Sequence, residues 1–109
     1  MASETINLQD FRVLESKVFT GRDRGLQVRN ESDLDKKVDD GNEIEVVVPE
    51  DIYSINPSFL EEFFFNAVKK LGRNEFYERV HIKNEGSYKI KRDLDEAVDR
   101  ILRNYNALI

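Results

Sequence analysis

The chain has no cysteine and a single histidine in 109 residues. The first absence removes disulfides, thiolate metal sites and a cysteine nucleophile together. The second leaves His81 unable to build a histidine-rich zinc site by itself. The glycines at positions 21 and 25 make neither a P-loop nor a dinucleotide fingerprint. No apolar run approaches the roughly 20 residues that cross a bilayer. Met1-Ala2-Ser3-Glu4-Thr5 lacks the basic-then-apolar order of a secretory signal. These absences lead to the expectation of a cytoplasmic protein with no cofactor, no metal and no membrane partner.

Against them stand 39% hydrophobic residues, including seven Phe and four Tyr, which suffice for one folded core. The net charge of −5 makes nucleic acid an unexpected partner, since phosphate attraction needs clustered Lys and Arg. The charge is uneven. Arg12, Lys17, Arg22, Arg24 and Arg29 make the N-terminal third basic, while residues 31–51 are acidic. Asp33 to Gly41 does not make a calcium loop, because oxygen ligands at alternating positions and a Glu six residues after the Gly are missing.

Periodicity predicts the elements. Thr5 to Phe11 alternates as a half-buried strand does, and Val13 to Thr20 has room for a second, short one. Gly21-Arg22-Asp23-Arg24-Gly25 reads as a charged turn. A helix is expected from Ser32-Asp33-Leu34-Asp35 to Gly41, and a strand over Glu43–Val48, closed by Pro49. Ser58-Phe59-Leu60-Glu61 fits a capping box, with Asn56-Pro57 as the alternative start. That helix should reach Leu71 and stop at Gly72, with one further turn over Asn74–Arg79. Val80–Lys83 is a strand, and its period leaves His81 on the face opposite Val80 and Ile82. The last helix places Ile90, Leu94, Ala97, Val98, Ile101, Leu102 and Tyr105 on one face. The alternation predicts one α/β domain over 1–109, with a core at 4–104 and a tail at 105–109. Its sheet should be mostly parallel and four-stranded, with about three to four helices packed on it.

Tyr53-Ser54-Ile55-Asn56-Pro57-Ser58-Phe59-Leu60-Glu61-Glu62, following the Val46–Val48 strand, resembles the core motif of the STAS-like domains of unknown function (the DUF4325 family). Gly21 to Gly25 with Val28 and Arg29 is similar to that family's upstream element. Lys70-Leu71-Gly72 through Phe76, and Val80 to Asn84, fit its continuation, so the likeness spans roughly residues 5–104. The resemblance implies a STAS-like domain that docks onto another protein and catalyses nothing. In the anti-sigma-factor antagonists, which share the wider STAS fold, a serine at the start of the corresponding helix is phosphorylated. By position that residue is Ser58. The antagonists' Asp-Ser-Ser-Gly or Asp-x-Ser-Gly signature is absent, and Pro57 and Phe59 flank Ser58 instead.

Ser58 therefore has two readings, a helix cap and a phosphorylation site. Phe65 points about 140° away from the sector holding Leu60, Phe63, Phe64, Ala67 and Leu71. It should face solvent and contact a partner or a second copy, unless the last helix or the tail covers it. Arg22, Arg24 and Arg29 offer an anion or a partner's carboxylates a docking point, or else form a solvated turn with local ion pairs to Asp23 or Asp33. The expected binding surface combines Tyr53, Asn56, Ser58, Phe65, Arg22 and Arg29, with another protein or a homodimer as partner. A second reading is a small acidic, phage-type inhibitor or nucleic-acid decoy. Its ridge would run through Asp33, Asp35, Asp39, Asp40, Glu43, Glu45, Glu50 and Asp51. An enzyme would require Glu61, Glu62, Arg22 and His81 to converge, and adjacent glutamates do not share a helix face.

Overall fold

The computed structural model describes residues 3–13 and 16–107, with side chains as far as Arg103. In chain order the elements are β1 (Ser3–Asn7), a 3-10 turn (Leu8–Phe11), β2 (Val18–Phe19), α1 (Arg22–Glu31), α2 (Leu34–Asp39), β3 (Glu43–Val48), β4 (Ser54–Ile55), α3 (Pro57–Arg79), β5 (Val80–Asn84) and α4 (Ile90–Ala107).

The strands form a three-stranded parallel sheet in the order β1-β3-β5 and a separate parallel pair, β2-β4. This corrects the expected single four-stranded sheet. Two local events divide it. At Asn7 the side chain accepts a hydrogen bond from the Gln9 N–H and opens the 3-10 turn, so Phe11 leaves the strand expected to hold it. At Pro49 the chain turns, with the Ile52 N–H on the Pro49 carbonyl, and the next extended residues pair with Val18 and Phe19 instead. Of the strand expected between Val13 and Thr20, only Val18–Phe19 forms among the described residues.

Register then sorts the residues into two faces. Ile6, Val46 and Ile82 are partners on one side, where Ile6, Val46, Ile44, Val48 and Val80 are buried and Ile82 partly so. Thr5, Glu45 and His81 are partners on the other, and Thr5 and His81 are exposed. The inner side merges with the helices into one cluster that includes Leu34, Val38, Phe59, Phe63, Phe64, Leu94 and Val98. Ring centroids 4.6–5.8 Å apart join Phe19, Phe59, Phe63, Phe64, Phe76 and Tyr77 into a row through it. Gly72, at φ 77°, breaks α3 as expected. The seven residues beyond it continue as helix, and Phe76 meets Phe64 edge to face.

The segment read as a charged turn is the first turn of α1. Gly21, at φ 92°, supplies the bend before it. Gly25 lies inside the helix, and a Cβ there would run into the Phe59 carbonyl oxygen of α3. Its glycine serves close helix packing, not a turn. Asp33 holds the N-cap position of α2, but neither its side chain nor that of Ser32 makes a capping hydrogen bond. Asp33 adopts left-handed backbone at φ 56° and links α1 to α2 directly. Tyr105, expected on the core face of α4, and the apolar tail lie outside the described side chains.

Candidate functional site

At the C-terminal ends of the parallel strands, three connections meet: the loop from Pro49 to Asn56, the start of α3, and the loop from Glu85 to Lys89. In open α/β sheets this is where binding sites form. The first loop is fixed along its length. Arg12 makes a two-pronged bond to Asp51, 2.8 Å on each arm, and this hydrogen bonding lowers the Asp51 pKa and raises that of Arg12. The Tyr53 N–H donates to the Lys17 carbonyl and the Asn56 N–H to the Phe19 carbonyl, both at 2.8 Å. The Ile55 carbonyl accepts from the Tyr88 hydroxyl at 3.0 Å. The Asp93 carboxylate at the start of α4 is a second acceptor for the same hydroxyl proton. Burial, first, and the bond to Asp93 push the Tyr88 pKa up to about 12.

On this fixed frame the Tyr53 side chain stands 72% exposed. Lys17 Nζ lies 5.9 Å from its ring centroid, within cation–π reach. Val18, paired in register with Ser54, is exposed beside it at 42%.

The helix start differs from the capping box. Asn56 is the cap: its Oδ1 accepts from the Ser58 N–H at 2.8 Å and from the Ser58 hydroxyl at 2.7 Å. Pro57, without an N–H, occupies the first helical position. The Phe59 and Leu60 N–H groups both reach the Asn56 carbonyl, at 3.0 and 3.3 Å. Every amide that a phosphate on Ser58 would need is therefore already bonded. Glu61, freed from any capping role, is 3% exposed and takes Arg22 of α1 at 3.4 Å and Arg100 of α4 at 3.2 Å, one on each oxygen.

Arg22 and Arg29 both serve the helix layer. Arg29 is buried, donates to the Glu62 carbonyl at 2.8 Å, and lies 3.6 Å from the Glu62 carboxylate and 3.7 Å from Asp35. Local pairing with Asp23 or Asp33 is replaced by pairing across to α3 and α2. Phe65 is half-buried against the core, with Lys69 Nζ 5.2 Å from its ring centroid, and does not stand free in solvent. The reason is that α3 packs along α1 on one side and α4 on the other, which leaves little open outer face. The structure joins Asn56 to Ser58, leaves Tyr53 exposed on the loop that leads to them, and ties Arg22 and Arg29 into helix contacts. His81 lies exposed on β5. Sequence reasoning missed Arg100 and Tyr88. Arg100 also pairs with Glu96 one turn away at 2.9 Å, a spacing that gives no sign of its reach to Glu61, and nothing in the loop marked Tyr88 as a clamp.

A family model described as a STAS-like domain of unknown function matches residues 33–89, more than half of the chain, and the chain belongs to that family. The match runs from α2 through β3, β4, α3 and β5, a narrower span than the resemblance over residues 5–104. No curated protein and no solved structure matches the chain. Among the described residues no helix is long and apolar enough to cross a membrane.

Proposed function

We propose that the protein is a non-enzymatic docking domain whose working surface is the edge carrying Tyr53, with Asn56 and Ser58 beside it. One observation carries this: an aromatic side chain left in solvent on a loop whose backbone is pinned at both ends. Rigid exposed tyrosines bind at low entropic cost, and they are enriched among the residues that dominate interface energies. Val18 extends the apolar contact. Ser58 would act as a modulator: with its neighbouring amides taken, a phosphate there would displace the Asn56 cap and weaken docking.

The acidic-decoy reading has no observation in its favour. Of its eight carboxylates, Asp35, Asp39, Asp40 and Asp51 are engaged by Arg29, Lys70, Lys36 and Arg12. The test is affinity capture from native lysate with mass spectrometry, using wild type, Tyr53→Ser and Ser58→Asp. A stoichiometric protein held by wild type, lost by Tyr53→Ser and weakened by Ser58→Asp is the expected result. Equal capture by wild type and Tyr53→Ser would move the surface elsewhere.

A further inference from the structure

β5 is one margin of the three-stranded sheet. The Glu85 N–H donates to the Val48 carbonyl at 3.0 Å, which sets the alternation of the strand. His81, Lys83 and Glu85 turn their backbone groups toward β3, so those of Ile82 and Asn84 point outward. Among the described residues the outward N–H groups of Ile82 and Asn84 have no partner. Between this margin and α4 runs a groove of about 350 Å³, lined by Tyr77, Val80, Ile82, Ile90 and Leu94, with Lys91 among its walls. The strand thus offers free main-chain groups beside a row of apolar side chains, which is what strand addition requires.

Charge selects the occupant. The N-terminal arginines are spent internally: Arg12 on Asp51, Arg22 on Glu61, Arg29 on Asp35 and Glu62, and Arg24 on the Phe11 carbonyl and Gln27. By contrast Lys83, Lys89 and Arg92 have no carboxylate partner among the described residues, and only Lys91 of this group is paired, with Asp95. Residues 83–92 hold these four cations against one carboxylate, Glu85, in a protein of net charge −5. In a second copy of β5 laid antiparallel about Lys83, the two Lys83 side chains would stand opposite each other, so like charge discourages self-pairing.

We propose that β5 accepts an extended acidic segment of another protein as an added strand. Its backbone would bond Ile82 and Asn84, an apolar side chain would enter the groove, and its carboxylates would meet Lys83 and the Lys89–Arg92 cluster. This surface uses none of the residues of the Tyr53 edge and stands or falls separately from it.

The probe is a fluorescein-labelled peptide of alternating valine and glutamate, titrated with the intact protein by fluorescence anisotropy. A valine–lysine peptide of the same length is the control. The expected result is binding of the acidic peptide alone, weakened by salt, with amide shifts centred on Ile82 and Asn84. The double variant Lys83→Glu/Lys91→Glu should cost at least about tenfold in affinity. Ile82→Pro, which removes an outward N–H while sparing the ladder to β3, should do the same. Tyr53→Ser should change nothing here. If Ile82→Pro does not fold, the charge reversal decides. Absence of binding, equal binding of the two peptides, or shifts confined to β1 would overturn the proposal. So would a dimer in sedimentation that the charge reversal abolishes or strengthens, because the occupant would then be a second copy.

Discussion

Glu61 shows what one residue does in this helix layer. Its carboxylate, 3% exposed, separates two guanidinium groups carried by different helices. Glu61→Ala would leave those cations facing each other across an unfilled space and should cost about 1–3 kcal/mol in urea unfolding, tempered because both arginines reach water. Arg22→Ala, taken from a side chain 58% exposed, should cost less than about 1 kcal/mol. The reverse order of these two costs would show that Glu61 is not the bridge. Phe65 illustrates an intermediate case. Half-buried, it should lose about 1–1.5 kcal/mol as Phe65→Ser, between the near-zero change of a contact residue and the larger loss of a core one. Equilibrium denaturation reads that difference directly. At this scale the sequence was half legible. Periodicity placed Phe65 opposite the apolar sector, but it could not report that neighbouring helices close over both flanks.

Among the elements, α1 and α3 approach at Gly25. Gly25→Ala forces a methyl against the Phe59 carbonyl and should destabilise by about 1–3 kcal/mol despite alanine's better helix propensity. A stabilised Gly25→Ala protein, measured by thermal unfolding, would contradict the packing. The loop after β5 gives a pH-dependent counterpart. Tyr88 has a folded-state pKa raised to about 12 from an ordinary 10.0. Its contribution is therefore complete below pH 10 and declines as pH rises toward 12. Tyr88→Phe should flatten the fall in stability over that window, as followed by circular dichroism. An unchanged alkaline profile would remove the clamp from the account. The elements most legible in the sequence were those with strong patterns. Glu43–Val48 is a β-branched run ended by a proline, and it forms the strand over those same residues. α4 carries Ile90, Leu94, Ala97, Val98 and Ile101 on its buried face as expected. α1 was illegible for a physical reason: it starts beside a bending glycine, contains another, and has little apolar content. Packing and Arg29 hold it, and neither leaves a periodic trace. The start of α3 carried two cap signals at once. Asn56 takes the cap, and Pro57 at the next position has no N–H that would need one.

For the whole molecule, the organising fact is how its charges are spent. In the sequence the N-terminal third is basic and residues 31–51 are acidic, and folding pairs Arg12 with Asp51 and Arg29 with Asp35 across that divide. Arg12, Arg29, Lys36 and Lys70 neutralise four carboxylates of the expected acidic ridge. What remains is a one-sided parallel sheet, a helix layer bridged by ion pairs, and an exposed tyrosine on a fixed loop. Lys36–Asp40 is a local i, i+4 pair, but Arg12–Asp51 and Lys70–Asp39 join segments distant in sequence, which local pattern does not encode. The claim that the Tyr53 edge is a docking surface is tested most directly by placing a photo-crosslinking benzoylphenylalanine there. The same group at Lys36, an exposed position on α2, is the control. Irradiation in native lysate should give one discrete protein adduct from position 53 and none from position 36. No adduct from position 53, or the same pattern from both positions, would contradict the account.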